Sequence, residues 1–213
     1  MNRKLVSIAA AALLAVLLLG GSGYLLLARV HAAEAATAPA DHALGSPGAP
    51  VTVIEYGAPS CPVCARFAAQ VMPLLKKNYI DTGKVFFIFR VYPLRAADGA
   101  AEKMARCLPP AKYFSFLGLL FRDQRLWDEE FGADPHKGLL RMGHLVGLSQ
   151  ARIDQCIGDT AQDADINRIA AEGDAKYNIT GTPTFVVGGV GQPSGSLEWD
   201  EMKALIDKAL VRK

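Results

Sequence analysis

The stretch Val51-Thr52-Val53-Ile54-Glu55-Tyr56-Gly57-Ala58-Pro59-Ser60-Cys61-Pro62-Val63-Cys64 decides the architecture of this chain. Its first seven residues are β-rich and bounded by Pro50 and Gly57, which describes a short buried strand. Pro59-Ser60-Cys61-Pro62 then opens a helix, with Ser60 or Cys61 at the cap and a proline in the first turn. Phe67, Val71, Leu74, Leu75 and Tyr79 continue at helical spacing, and Pro73 is expected to kink the helix. Lys84 to Tyr92 (KVFFIFRVY) reads as a second strand, apolar through its middle. Strand, helix and strand in such close succession predict a right-handed parallel crossover unit.

Downstream the texture changes. Helical patterns recur at 97–108, 111–127, 135–147, 149–158 and 162–178, separated by Pro, Gly or Asp-rich breaks and with no strand signal between them. Thr184 to Val187 is then a short strand, Gly188 to Gly195 a glycine-rich turn region, and 198–211 an amphipathic helix. The order is βαβ, a helical insert at about 95–165, then β, turn and α. This is an α/β chain with one ordinary core.

Cys61-Pro62-Val63-Cys64 carries the chemistry. Two residues between cysteines on a first helical turn let a small disulfide ring open and close. Cys61 is expected at an exposed helix end, where free amide N–H groups and the helix dipole stabilise a thiolate, the nucleophile that exchange requires. Cys64 lies deeper and is placed to resolve the mixed disulfide. Taken alone, the tetrapeptide is equally compatible with an inert disulfide or half of a zinc site. The histidines, His31, His42, His136 and His144, lie far from it in sequence and offer no local second half.

The second signal is Gly181-Thr182-Pro183-Thr184, a proline at the mouth of a buried strand, which suits a turn or a cis bond. With both motifs in this order, the chain from about 45 to 211 resembles the DsbA-like thiol–disulfide oxidoreductases of the thioredoxin superfamily. The resemblance implies a thioredoxin-like fold: a central mixed sheet with flanking helices and an all-helical insertion. It implies Cys61 as nucleophile, Cys64 as resolving thiol, and a cis Pro183 against the pair. Thr182 is then the residue that pairs with a substrate peptide. An acidic residue beneath the pair, matched here by Glu55, would shuttle the proton of Cys64. The bland alternative for Glu55 is a solvent-facing carboxylate with Ile54 and Tyr56 buried opposite. Val63 departs from the histidine of the best-known oxidants, which puts the oxidising strength in question.

Asn2-Arg3-Lys4, an uncharged run from Leu5 to Ala28 and the small residues ending at Ala32 describe an export signal. Residues 1–32 are therefore expected to be a signal peptide, with a retained inner-membrane anchor as the alternative. Gly20-Gly21-Ser22-Gly23 interrupts the run and favours cleavage. Residues 33–50 read as a linker and 51–212 as the catalytic domain. Both alternatives place the folded part outside the cytoplasm, in the periplasm or beyond. There Cys107 and Cys156 are expected to form a structural disulfide rather than remain two buried thiols. The formal charge is +2, and beyond the first thirty residues 20 basic side chains face 21 acidic ones, so nucleic acid is not an expected partner.

The expected function is formation of disulfides in reduced or unfolded exported proteins, by a monomer that a membrane partner re-oxidises. No cofactor and no metal are expected. The alternatives are a periplasmic reductase or isomerase and, in a different class, a module binding a soft ion through Cys61 and Cys64.

Overall fold

A computed structural model describes residues 41–212. The export segment 1–32 and residues 33–40 of the expected linker lie outside the described residues. No helix among the described residues is long and apolar enough to cross a membrane.

The sheet has five strands in the order β1-β3-β2-β4-β5. The central strand β2 (Val51–Gly57) pairs in parallel with β3 (Val85–Val91), Val53 opposite Phe87 and Glu55 opposite Phe89. On its other side β2 runs antiparallel to β4 (Thr184–Val187), so that Glu55 also lies opposite Phe185. Helix α1 (Pro62–Gln70) and the short α2 (Met72–Leu75) form the crossover. The helix breaks at Val71 because Pro73 has no N–H to donate. It ends in a π turn over Lys76–Ile80.

The insert consists of α3 (Ala96–Arg106), α4 (Tyr113–Arg122), α5 (Pro135–Leu145) and α6 (Gln150–Ile157), followed by the long α7 (Thr160–Tyr177). Short 3-10 turns at Gln124–Leu126 and Glu129–Phe131 join α4 to α5. Helix α8 (Trp199–Val211) closes the chain. The expected helix over 111–127 is thus shorter, its ends tightened into 3-10 geometry.

Alternation along β2 sends Val51, Val53 and Glu55 to one face and Ile54 and Tyr56 to the other. The first face meets Phe67, Phe87, Phe89, Phe185, Met202 and Ile206 in the main core. The second packs Tyr56 and Ile54 with Ile179, Val186 and Tyr177. There α7 approaches so closely that a Cβ at Gly173 would fall 2.7 Å from the Tyr56 ring. Both faces of the central strand are therefore covered, as a parallel pair requires.

Two strands lie where none is expected. Within the stretch read as a linker, β1 (His42–Leu44) pairs antiparallel with β3, so the sheet begins before residue 51. Three residues cannot display a period. What holds them is long-range: Arg90 grips the Asp41 carboxylate through Nε (2.9 Å) and Nη2 (2.7 Å), and the His42 ring stacks on Tyr113 at 3.7 Å. Inside the glycine-rich turn, β5 (Val190–Gly191) folds back on β4. Gly188 and Gly189 both take positive φ (56° and 83°), the geometry of a tight primed hairpin turn.

Candidate active site

Strand β2 delivers the chain to Cys61, which caps α1 with an extended backbone. Its Sγ accepts the N–H of Cys64 at 3.3 Å. Pro62 at the first helical position has no N–H to lose. From the opposite side the thiol of Cys61 donates to the carbonyl of Thr182 at 3.4 Å. The Thr182–Pro183 peptide is cis. Four of the expected site residues are thus gathered at the C-terminal end of β2, where α/β sheets carry their functional loops. Phe67 of α1 packs on Phe185 of β4, ring centroids 4.6 Å apart, and fixes the helix against the strand that follows Pro183.

Both cysteines are free thiols. Cys61 is only 3 % exposed and Cys64 fully buried, so the expectation of an open Cys61 is corrected. The Thr182 loop lies over the sulfur that the helix end would otherwise present to solvent. Their acidities diverge. The pKa of Cys61 falls to about 6, chiefly through the hydrogen bond from the Cys64 thiol. Burial opposes that fall, and the amides of Cys64 and Val63 add to it. Cys64 moves far in the other direction, mainly because burial disfavours its thiolate and further because of the charges of Glu55 and Cys61. One sulfur is a nucleophile at neutral pH; the other holds its proton.

Glu55 is 2 % exposed, on the same sheet face as the thiols. That removes the solvent-facing alternative. Burial, helped by the Cys61 charge, pushes its pKa well above the ordinary carboxylate value. Its Oε1 is buried without a hydrogen-bond partner among the protein atoms.

Two residues that hold the site escape sequence reasoning. Asp98, fully buried near the start of α3, accepts from Ser60 N (2.7 Å), Ser60 Oγ (3.0 Å), Leu94 N (3.0 Å) and Arg95 N (3.0 Å). It clamps the residue before Cys61 while capping α3. Gln124, in the 3-10 turn after α4, donates Nε2 to the carbonyls of Pro59 (2.9 Å) and Cys61 (3.0 Å). The helical insert thus grips the redox loop from two sides. Further off, Cys107 at the end of α3 and Cys156 in α6 are bonded to each other, Cα atoms 6.1 Å apart. Among the described residues no group of three or more His, Cys, Asp or Glu is placed to hold a metal ion.

The geometry agrees with known proteins. Residues 37–208 match the thioredoxin family. A Rickettsia conorii protein named as a protein-disulfide oxidoreductase is 32 % identical over 178 residues, covering 80 % of this chain and 60 % of that protein. The chain thus spans about three fifths of the length of that relative. Disulfide bond formation protein D of Bacillus subtilis is 28 % identical over 180 residues, covering 80 % of this chain and 77 % of its own. Among solved structures, Wolbachia pipientis alpha-DsbA1 superposes with a TM-score of 0.74 at 31 % identity, covering 82 % of this chain and 92 % of that one. With the sheet, the insert and the Cys61–Cys64 pair in place, the chain belongs to the DsbA-like branch of the thioredoxin family.

Proposed function

We propose that this chain oxidises cysteine pairs in exported proteins by thiol–disulfide exchange through Cys61 and Cys64. The observation that carries the reading is the asymmetry of the pair: Cys61 is acidic, with a pKa of about 6, while Cys64 is held as a thiol. In the working cycle a substrate thiolate attacks Sγ of Cys61 in the oxidised pair. A mixed disulfide forms, and Cys64 leaves as a thiolate that takes a proton from the neutral Glu55 carboxyl. A second substrate thiolate then attacks the substrate sulfur of the mixed disulfide. Cys61 leaves as a stabilised thiolate, and two electrons have passed to the pair. Re-oxidation by a membrane redox partner reverses these transfers.

The same asymmetry supports the oxidising direction. Lowering the Cys61 pKa from 9.0 to about 6 stabilises the reduced form by about 1.4 kcal/mol at pH 7. For a two-electron couple that raises the potential by about 30 mV. Thr182 is the proposed substrate contact. Its carbonyl oxygen lies 3.4 Å from Sγ of Cys61 in the reduced state. Once that sulfur is in a disulfide, the carbonyl is free to pair with an extended peptide by strand addition, which tolerates many sequences. Pro183 holds the loop beside the sulfur. Cys107–Cys156 serves as a structural staple of the insert. Export rests on the first 32 residues, read as a signal peptide or anchor.

The test is the redox equilibrium of the Cys61–Cys64 pair against glutathione, followed by oxidation of a reduced dithiol peptide. A potential above that of an ordinary protein dithiol, with rapid peptide oxidation, supports the reading. A reducing potential, with preferential cleavage of substrate disulfides, would replace it by the reductase.

A further inference from the structure

The cavities of the molecule differ in what lies at their depth. Those beside α8 (about 350 Å³) and between α4 and the end of α5 (about 660 Å³) have no buried polar side chain in their lining. A third, of about 340 Å³, lies between the α1–α2 crossover and α4. Its walls are the rings of Phe87, Phe89, Phe114 and Phe121 with Met72, and buried Glu55 belongs to the same lining. The rings stand in pairs, Phe87 tilted against Phe114 with centroids 6.1 Å apart and Phe89 edge-on to Phe121 at 6.2 Å.

We infer that this cavity is a binding site for a small, uncharged aromatic molecule carrying a hydroxyl, with Glu55 as its polar anchor. The volume is at the lower end of the roughly 300–1,000 Å³ of small-molecule sites, and an apolar lining with few orienting polar groups is their usual make-up. Oε1 of Glu55 is buried without a hydrogen-bond partner among the protein atoms, and a buried acceptor of that kind calls for one. Lys76, the other charged side chain of the lining, is exposed and engaged by Asp81, so no free charge is left to select an ion. Burial favours the neutral Glu55 carboxyl, which offers both a donor and an acceptor, and a hydroxyl answers both. The faces and edges of two ring pairs suit an aromatic ring better than an acyl chain.

Occupancy has a consequence for exchange that rests on the proton role of Glu55 proposed above. A hydroxyl bonded to the carboxyl competes for the proton that Cys64 takes on leaving. The ligand therefore inhibits from beneath the pair, without touching Cys61 or Thr182, neither of which lines the cavity.

The experiment titrates the full chain, carrying methyl-labelled methionine, with phenol and with toluene, which has nearly the same shape and no hydroxyl. The Met72 methyl resonance reports occupancy. Wild type is compared with Glu55→Gln, Glu55→Leu and Gly118→Leu, each checked for native circular dichroism. Gly118 lines the cavity from α4, and a Cβ there meets no atom within 4 Å, so a leucine has room to fill the mouth without disturbing the redox loop. Wild type should bind phenol in the millimolar range, as suits so small a ligand, and about tenfold more tightly than toluene. Glu55→Gln keeps a donor and an acceptor and should keep that order, Glu55→Leu should reverse it, and Gly118→Leu should abolish binding of both. Toluene binding as tightly as phenol to wild type, or an order that Glu55→Leu leaves unchanged, reveals an apolar void and overturns the inference. Phenol binding that survives Gly118→Leu overturns it as well, and these comparisons decide the matter even where Glu55→Leu does not fold. Oxidation of a dithiol peptide is read separately: saturating phenol should slow wild type severalfold and leave Glu55→Gln unaffected. If phenol binds as expected and wild-type turnover does not change, the site stands and the proton role of Glu55 falls.

Discussion

Titrating the reduced protein from pH 5 to pH 8 should expose how firmly the fold holds the Cys61 thiolate. In the unfolded chain this thiol titrates near 9.0, and in the fold at about 6. A pKa depressed by folding contributes stability that is complete above the unfolded value and is lost as pH falls through the folded one. The contribution is below about 0.1 kcal/mol at pH 5, about 1.4 at pH 7 and about 2.7 at pH 8. Cys64 adds nothing to this window, because its raised pKa keeps it a thiol in the folded state and it titrates only at higher pH when unfolded. Glu55 works in the opposite direction: its raised pKa means that stability is lost as pH rises above the ordinary carboxylate range. That burial cost is common to both redox states and cancels between them; the part due to the Cys61 charge does not. The assay is therefore urea unfolding of the reduced and oxidised proteins at pH 5, 7 and 8, in wild type and in Glu55→Gln. The oxidised protein has no Cys61 thiol and supplies the baseline. The reduced-minus-oxidised difference should grow by about 2.6 kcal/mol from pH 5 to pH 8 in Glu55→Gln. A change under about 0.5 kcal/mol would show that Cys61 is an ordinary thiol, and the argument for an oxidant would lose its basis.

At pH 6 a small alkylating reagent should modify Cys61 well ahead of Cys64, as read by peptide mass mapping; equal labelling contradicts the assigned roles. Val63→His should place a further donor near the Cys61 sulfur and shift the glutathione equilibrium toward the reduced pair; an unchanged equilibrium would show that the dipeptide does not set the potential. Replacing Cys107 and Cys156 together by serine should cost about 3–4 kcal/mol in urea unfolding, because the bond closes a loop of 49 residues. Asp98→Asn keeps the shape but leaves fewer acceptors for four donors, and should destabilise the fold by about 2–4 kcal/mol. It should also raise the Cys61 pKa, measured by thiolate absorbance at 240 nm, through a loosened Ser60–Cys61 turn.

The parts of this site that are legible in the sequence are those written in neighbouring residues. Strand β2, the cap at Cys61 and Pro62, and the proline before β4 each depend on a few adjacent positions, so pattern and turn chemistry reveal them. Glu55 is ambiguous from the same pattern because β2 is covered on both faces. Ile54 and Tyr56 are apolar, yet their burial says nothing about the opposite side, which the helices bury as well. The clamps on the redox loop are not legible at all. Ser60 meets Asp98 across 38 positions, and Pro59 meets Gln124 across 65. Asp98 sits in an Ala-rich helix start and there resembles a routine first-turn acid. Only when α3 is laid against the end of β2 does the carboxylate acquire its second pair of donors. The same long-range logic places β1, whose three residues are ordered by Arg90 and Tyr113 from distant parts of the chain. The helical insert therefore does more than decorate a thioredoxin-like sheet. It supplies Asp98 and Gln124, which fix the backbone on either side of Ser60. A thiolate stabilised by a 3.3 Å amide contact depends on that backbone staying where it is.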